Sequence, residues 1–237
     1  MNALSRSAAR PVSAGPAVLA LGVALALAAA LAPVPAGAQT SLLWSFSGLE
    51  NVQSIVATPD IDGDGGPDVC FDTYDFGPSG VPHLFAVRGA SSGEASALWS
   101  ALPTGGASNG GGYGDNCLRL GEDYNGDGER DLLFATAYGC RTAFALDRLT
   151  GSTLWSFDTY ANYGSEQAGW IYAMDDLGSD LTADGVPEVV FCSGSYNDRV
   201  HCVDGATGAQ RWVYYAQDAC TDVRSCQDLN ADGVRDV

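Results

Sequence analysis

Short apolar runs alternate with turns along this chain from residue 41 onward. The runs are four or five residues long and rich in Val, Leu and Phe, and Gly, Asp and Ser lie between them. Runs of this length bounded by turn residues predict β-strands. With 30 Gly among 237 residues, the pattern predicts an all-β chain that is rich in turns.

Four tryptophans reveal a repeat in this pattern. Trp44, Trp99, Trp155 and Trp212 are separated by 55, 56 and 57 residues. Before each of the last three, a Thr-Gly or Ser-Gly pair lies between two apolar runs, which predicts a β-hairpin. A fixed period of this length indicates a repeat architecture. We expect the Trp to be a packing residue between repeats.

Each repeat contains four strand candidates. Four antiparallel strands that recur every 50–60 residues predict the blades of a β-propeller. We therefore predict a partial propeller over 39–237. It has blades over about 52–101, 115–158 and 170–216, the start of a fourth over 220–237, and a closing strand over 41–47.

The number of predicted blades is too small to close a ring. Propellers usually have about 4–8 blades, and this chain has about three. We expect it to be the N-terminal fragment of a longer protein. The alternative is an open stack of three sheets, which would leave two unpaired edges.

Residues 1–38 are predicted to be a signal peptide. Arg6 and Arg10 provide a positive start, Ala17–Ala32 an apolar core, and Ala36–Ala38 the small-residue pattern of a cleavage site. A membrane anchor is the alternative, but the apolar stretch is short for a span and is followed by two prolines. We expect a secreted or periplasmic protein with no membrane insertion after cleavage.

The charge of the mature chain restricts its partners. Residues 39–237 carry nine Arg and 29 acidic residues, a formal charge of −20. Such a surface repels nucleic acid and anionic lipid, so we predict no nucleic-acid partner. At 46% hydrophobic residues, the chain is not a disordered acidic tail. Clustered carboxylates repel one another, and divalent cations are the obvious candidates to offset that repulsion.

Four acidic loops recur in the frame of the repeat and predict Ca²⁺ sites. Oxygen-bearing side chains at positions 1, 3 and 5 point inward, Gly at position 6 permits a sharp turn, the carbonyl of position 7 joins them, and an acidic residue closes at position 9. Hard oxygen ligands in this number suit Ca²⁺. The predicted ligands are Asp60, Asp62, Asp64, Gly66 and Asp68; Asp123, Asn125, Asp127, Glu129 and Asp131; Asp180, Thr182, Asp184, Val186 and Glu188; Asp228, Asn230, Asp232, Val234 and Asp236.

The loops begin like an EF-hand but do not continue as one. An EF-hand places a Glu at position 12 between two helices, whereas Phe71, Phe134 and Phe191 occupy that position in strand-like runs. Merely solvated turns are the other alternative, which four loops in register disfavour. Counting carboxylates predicts that the first loop binds Ca²⁺ most tightly and that the third, with Thr182, binds most weakly.

Seven cysteines in an exported chain predict disulfides rather than a redox or zinc site. None forms a CxxC pair, and the odd number leaves one thiol over. Several pairings stay open. The candidate pairs are Cys192 with Cys202 across a hairpin, and, more weakly, Cys117 with Cys140 and Cys220 with Cys226.

The loops and strands together resemble the FG-GAP repeat family, the calcium-loop propellers that include integrin α-subunit heads and many bacterial secreted proteins. Tyr113-Gly114 followed by Leu118–Ala137 is similar to a whole repeat core, and the resemblance covers about Ser41–Val237. It implies a seven-blade ring, loops on one rim, and binding or adhesion more often than catalysis. The Leu-Asp-x-x-Thr-Gly-x-x-x-Trp hairpin is similar instead to repeats of quinoprotein-type propellers.

The leading functional hypothesis is a secreted calcium-binding module with an extracellular protein or glycan as its partner. The alternatives are a quinoprotein-type dehydrogenase and a calcium-dependent polysaccharide lyase. The sequence contains no adjacent Cys-Cys pair and no recognisable quinone site, which disfavours the dehydrogenase. It also offers no catalytic base for a lyase, because the only two histidines, His83 and His201, are expected to be surface or hairpin residues. No catalytic residue is predicted. The insertions Thr104–Gly114 and Tyr160–Gly169 are candidate contact loops.

Overall fold

The computed structural model describes residues 42–47, 51–74, 81–102 and 111–237. The predicted signal peptide and most of the Thr104–Gly114 insertion lie outside these residues. Within them, the one helix has five residues, and nothing helical is long and apolar enough to cross a membrane.

Strands make up nearly all of the regular structure in the described ranges. Their bounds, in chain order, are β1 (Trp44–Ser45), β2 (Asn51–Thr58), β3 (Asp68–Tyr74), β4 (Leu84–Val87), β5 (Gly93–Glu94), β6 (Ala97–Ala101), β7 (Leu118–Leu120), β8 (Leu132–Ala135), β9 (Thr142–Leu146), β10 (Thr153–Asp158), β11 (Trp170–Asp176), β12 (Val189–Gly194), β13 (Arg199–Val203) and β14 (Gln210–Tyr215). The helix α1 (Thr159–Tyr163) lies between β10 and β11.

Twelve of these strands form three antiparallel sheets of four, in the orders β2-β3-β4-β6, β7-β8-β9-β10 and β11-β12-β13-β14. The first strands of successive sheets are neighbours, because β7 contacts both β2 and β11. Sheets that meet at their first strands and spread outward are the blades of a β-propeller. The prediction of an all-β fold with four-stranded antiparallel blades is confirmed.

The middle strands are buried because each blade is covered on both faces. Every residue of β8 and of β12 is buried. One core cluster lies between the first two blades and contains Leu84 and Phe134. A second lies between the second and third blades and contains Leu133 and Phe191. Burial on both faces explains why these strands have continuous apolar runs rather than an alternating pattern.

The repeated tryptophans join each blade to the next. In Trp44, Trp99 and Trp155, the indole N–H donates to a backbone carbonyl in the hairpin that follows the third strand of the next blade. The bonds run from Trp44 to Gly89 (3.2 Å), from Trp99 to Arg148 (3.0 Å) and from Trp155 to Gly205 (2.6 Å). The expectation that these Trp pack between repeats is confirmed. The strand β1 pairs with β5 and carries Trp44, so it contacts the first blade in the way that β6, with Trp99, contacts the second. The role of β1 in closing a ring stays a prediction.

The disulfide prediction for Cys192 and Cys202 is wrong in this structure. The register places Cys192 opposite Val200 and Cys202 opposite Val190, so the two thiols are not cross-strand partners. The thiol of Cys192 lies instead beside that of Cys220, and burial together with this neighbour raises its pKa.

The two weaker disulfide predictions are also wrong. Cys117 packs in the core between the second and third blades, whereas Cys140 packs in the core between the first and second. The thiols of Cys220 and Cys226 each donate to a nearby carbonyl rather than to each other. All seven cysteines are free thiols. Which face of a blade a cysteine occupies decides its neighbours, and sequence spacing does not report it.

Candidate metal centres

The predicted acidic loops lie at equivalent places in the blades. The first three, 60–68, 123–131 and 180–188, connect the first strand of a blade to the second. The fourth, 228–236, follows β14 and the irregular segment after it. Three of the loops therefore lie at the same end of the blades.

The carboxylate at position 1 organises each loop. In the first loop, Asp60 accepts hydrogen bonds from the backbone N–H groups of Gly63 and Gly65, both at 2.7 Å. The same two bonds, to positions 4 and 6, recur in the other loops at 2.6–2.8 Å. These bonds lower the pKa of Asp60, and the bond from the N–H of Gly65 has the largest effect. Asp60 is therefore held ionised and oriented.

Backbone conformation adds a requirement that the sequence analysis missed. Positions 4 and 6 both have positive φ in all four loops. Position 6 is always Gly, but position 4 is Gly in two loops and Ala in the others, with φ of 60° at Ala183 and 62° at Ala231. The missed signal was the Gly at position 4 of the first two loops. The cost of this conformation for Ala is about 1–2 kcal/mol.

Positions 5 and 9 are held in the same turn. The carboxylate at position 5 accepts from the N–H of position 7 at 2.8–2.9 Å in all four loops. The carboxylate at position 9 accepts from the N–H of position 2 at 2.6–2.8 Å. The structure thus holds positions 1, 5 and 9 of each loop on one turn, but within the described residues it brings three carboxylates within 4.8 Å of one another in the first loop alone.

The first loop has the geometry of a cation site. Asp60, Asp62 and Asp68 each offer an oxygen, and these oxygens lie within 4.8 Å of one another. Ca²⁺ binds oxygens at about 2.3–2.6 Å, so its ligands lie no more than about 5 Å apart. The three carboxylates therefore fit a Ca²⁺ ion between them.

The residues at position 9 of the second and third loops, Asp131 and Glu188, also favour a cation. Asp131 is 1% exposed, and burial raises its pKa to about 6, with Asp127 adding to the shift. Burial likewise raises the pKa of Glu188. Oδ1 of Asp131 and Oε1 of Glu188 are buried without a well-aligned donor in the described chain, although the N–H of Arg148 lies near enough to lower the pKa of Asp131. Buried carboxylate oxygens that lack full pairing are costly unless a cation offsets them.

An arginine contacts the first loop, which the sequence analysis did not foresee. Nε of Arg88 donates to Oδ2 of Asp62 at 2.5 Å and lies 3.6 Å from Oδ2 of Asp64. The Arg88 side chain is 47% exposed. It neutralises part of the charge at positions 3 and 5, which opposes the ranking of this loop as the tightest.

A second arginine ties two loops together. Arg148 is fully buried, and its guanidinium donates to the carbonyls of Pro59 and Asp60 in one blade at 3.0 and 3.2 Å. It also donates to the carbonyl of Arg130 at 3.0 Å and to a carboxylate oxygen of Glu129 at 2.5 Å in the next blade. The first and second loops are therefore joined through one side chain.

The two histidines are buried, so the prediction of surface positions is wrong. His83 is 1% and His201 0% exposed, because the neighbouring strands cover the starts of the third strands. Nε2 of His201 lies 3.3 Å from Oγ of Ser193 and 3.1 Å from Oδ1 of Asn197, and burial lowers the pKa of His201 to about 3. Ser193 and Asn197 are also 0% exposed. The three side chains therefore form a buried hydrogen-bond network, and Nδ1 of His201 extends it to the hydroxyl of Tyr163 at 3.4 Å.

Comparisons by sequence find no relative of this chain. No family model matches it, and no curated protein matches it either.

Comparison with solved structures finds β-propeller proteins. BamB from Moraxella catarrhalis aligns at 17% identity with a TM-score of 0.41, over 73% of this chain and 40% of that one. BBS1N, from its complex with ARL6DN, aligns at 14% with a TM-score of 0.47, over 78% and 50%. Quinohemoprotein alcohol dehydrogenase from Comamonas testosteroni aligns at 15% with a TM-score of 0.42, over 74% and 23%. The chain spans 23–50% of the length of these structures.

Proposed function

We propose that this protein is a secreted, calcium-stabilised β-propeller module of the FG-GAP type that binds an extracellular protein or glycan. The metal is structural and is held by the four acidic loops. The single observation that carries the proposal is the convergence of Asp60, Asp62 and Asp68, whose oxygens lie within 4.8 Å of one another.

The other three loops support the proposal because they share the bonding pattern of the first. Side-chain oxygens at positions 1, 3, 5 and 9 and the carbonyl at position 7 would hold the ion. In this arrangement Ca²⁺ offsets the mutual repulsion of carboxylates in a narrow turn. Because an unfolded chain does not assemble these ligands, the free energy of metal binding stabilises the fold.

Removal of Ca²⁺ tests the proposal. A site saturated at about 100 times its Kd contributes about 2.7 kcal/mol. For a domain of this size, we expect a chelator to lower the Tm by about 5–10 °C for each such site. The measurement is thermal unfolding followed by circular dichroism in Ca²⁺, in chelator, and in chelator with excess Ca²⁺ restored. An identical Tm in all three would overturn the proposal.

Single-loop variants test the assignment of the sites. Each position-1 Asp is changed to Ala in turn, at Asp60, Asp123, Asp180 and Asp228, and Ca²⁺ binding is measured by titration calorimetry. We expect each variant to lose one site, with the third loop contributing the weakest one. Asp115→Ala, on an exposed residue outside the loops, is the matched control and should retain all sites.

A further inference from the structure

Five aromatic side chains gather on the rim opposite the first three acidic loops. They come from all three blades: the end of β3, the segment before β7, the turn between β8 and β9, and the start of β11. We call this set the aromatic rim, and it consists of Tyr74, Tyr113, Tyr138, Trp170 and Tyr172.

The rings of the aromatic rim contact one another in a continuous chain. Tyr138 stacks on Trp170 with centroids 4.4 Å apart, and Tyr74 lies 5.2 Å from Tyr138. Tyr113 meets Trp170 at 5.6 Å and Tyr172 at 6.1 Å, both edge to face. Tyr113 is 45% exposed, and Tyr138, Trp170 and Tyr172 are partly exposed. Tyr74 is buried, at 5% exposed, and contacts Tyr113 and Tyr138, whereas the other four rings form a platform at the surface.

The turns around the platform have strained backbones. Tyr138 and Arg141, in the turn after β8, have φ of 54° and 49°, and Ser195 and Tyr196, in the turn after β12, have φ of 55° and 91°. Side chains larger than Gly rarely adopt this conformation. Such strain is concentrated at functional sites in proteins, where the surrounding structure maintains it.

A cavity of about 200 Å³ opens beside the platform. The rings of Tyr113 and Tyr172 contribute its apolar part, and Asp115, Asn116 and Thr221 contribute a carboxylate, an amide and a hydroxyl. Pockets for drug-sized ligands measure about 300–1,000 Å³. This cavity therefore suits a single small ring rather than an extended molecule.

A buried carboxylate positions one wall of the cavity. Asp72 accepts the N–H of Ser54 at 2.8 Å and the thiol of Cys117 at 3.5 Å. The hydroxyl of Ser54 in turn donates to the carbonyl of Asp115 at 2.9 Å. The segment that carries Tyr113 and Asp115 is thus held from below, which prepares the site before a ligand arrives.

We propose that the aromatic rim and its cavity bind a neutral pyranose unit of a glycan. The C–H groups on one face of a sugar ring are weakly positive and pack against the negative face of an aromatic ring. Its hydroxyl groups both donate and accept, which matches the carboxylate, the amide and the hydroxyl of the cavity. This inference rests on the proposed function and names the ligand class for it.

The charge and packing of the site favour a neutral sugar over charged ligands. The chain carries a formal charge of −18, which repels acidic sugars. A cationic ligand is favoured by several aromatic faces turned toward it, whereas Tyr113 meets Trp170 and Tyr172 edge to face. The guanidinium of Arg224 also donates to Oδ1 of Asn116 at the edge of the cavity, which opposes a second cation there.

Binding of defined oligosaccharides tests the inference. The probes are cellohexaose, mannohexaose and hexa-N-acetylchitohexaose, applied at millimolar concentration in saturating Ca²⁺ and measured by calorimetry and saturation-transfer NMR. We expect saturable binding of at least one of them, with the largest transfer to ring protons. Tyr113→Ala should weaken this binding at least tenfold, and Tyr113→Phe should change it less than threefold.

The matched control is Tyr214→Ala, which removes a 63% exposed ring on β14 that lies outside the aromatic rim and does not line the cavity, and it should bind as the parent chain does. Equal loss in both Ala variants, or binding only of hexagalacturonate or choline, would overturn the inference. Absence of binding to all three neutral probes, in a protein whose Tm still depends on Ca²⁺, would overturn the inference alone. Loss of the Ca²⁺ dependence would overturn the proposed function instead.

Discussion

Nε1 of Trp155 donates a hydrogen bond to the carbonyl oxygen of Gly205, 2.6 Å away in the next blade. The same indole packs over Gly208, where a Cβ atom would lie only 2.8 Å from the ring. Trp155, on the fourth strand of one blade, thus contacts both Gly205 and Gly208 in the hairpin turn of the next blade. Because Trp99 makes the equivalent contacts with Arg148 and Gly151, the hairpin and the Trp of the repeat form one joint.

Trp155→Phe should weaken this joint while keeping most of the apolar contact. The variant removes the donor and leaves the Gly205 carbonyl without its partner, which costs about 1–3 kcal/mol. Trp155 is 5% exposed, so water does not replace the lost bond freely. The measurement is the free energy of unfolding from urea denaturation in saturating Ca²⁺. Trp212→Phe is the control, because Trp212 is only partly buried, and a larger loss there would contradict the assignment.

Ala183→Gly should stabilise the third loop. Ala183 has a φ of 60°, and relief of that conformation outweighs the added chain entropy of Gly by about 0.5–1 kcal/mol. The opposite change, Gly63→Ala, should destabilise the chain by a similar amount, since φ is 80° there and no atom lies within 4 Å of the added Cβ. Both free energies of unfolding are measured in chelator. Changes of the same sign in the two variants would be inconsistent with backbone strain as the cause.

Arg88→Gln should tighten Ca²⁺ binding to the first loop. The variant removes a charge that pairs with Asp62 and lies near Asp64. Exposed pairs contribute about 0.2–1 kcal/mol, so we expect the Kd to fall about 1.4- to 5-fold at low ionic strength. The gain should shrink in salt. Calorimetric titration of the variant in which only the first loop retains its position-1 Asp measures the effect.

The control for the Arg88 variant is Arg119→Gln. Arg119 pairs with Asp175 at 3.2 Å and is 34% exposed, so the change in net charge is the same but lies outside the loops. Equal tightening by both substitutions would mean that the overall charge, and not the contact with Asp62, sets the affinity.

Asp72 should make the stability depend on pH. Burial raises the pKa of this carboxyl to about 7 from a usual value of 3.8, so the folded state holds the proton more tightly than the unfolded chain. The stabilising contribution is full below about pH 4 and is lost as the pH rises through 7, by up to about 4 kcal/mol. In saturating Ca²⁺, urea denaturation from pH 4 to 8 should show this fall. Asp72→Asn should flatten it, whereas a slope unchanged by Asp72→Asn but removed by Asp115→Asn would disprove the assignment.

The sequence by itself determined the repeat, the four strands of each blade and the composition of the acidic loops. These features are local: an apolar run, a Thr-Gly turn or an Asp at every second position acts within about ten residues of the chain. The Trp spacing added the one long-range relation, because a repeated unit must pack against its own copies.

Only the tertiary structure decided which distant side chains meet. Arg148 joins Asp60 to Glu129. Arg88 contacts Asp62, which lies 26 residues earlier in the chain. Cys192 neighbours Cys220 rather than Cys202, His201 lies inside a blade, and the aromatic rim is assembled from three blades. The physical reason is that strand register and blade rotation set these contacts, and both depend on how all the sheets pack together rather than on any one segment.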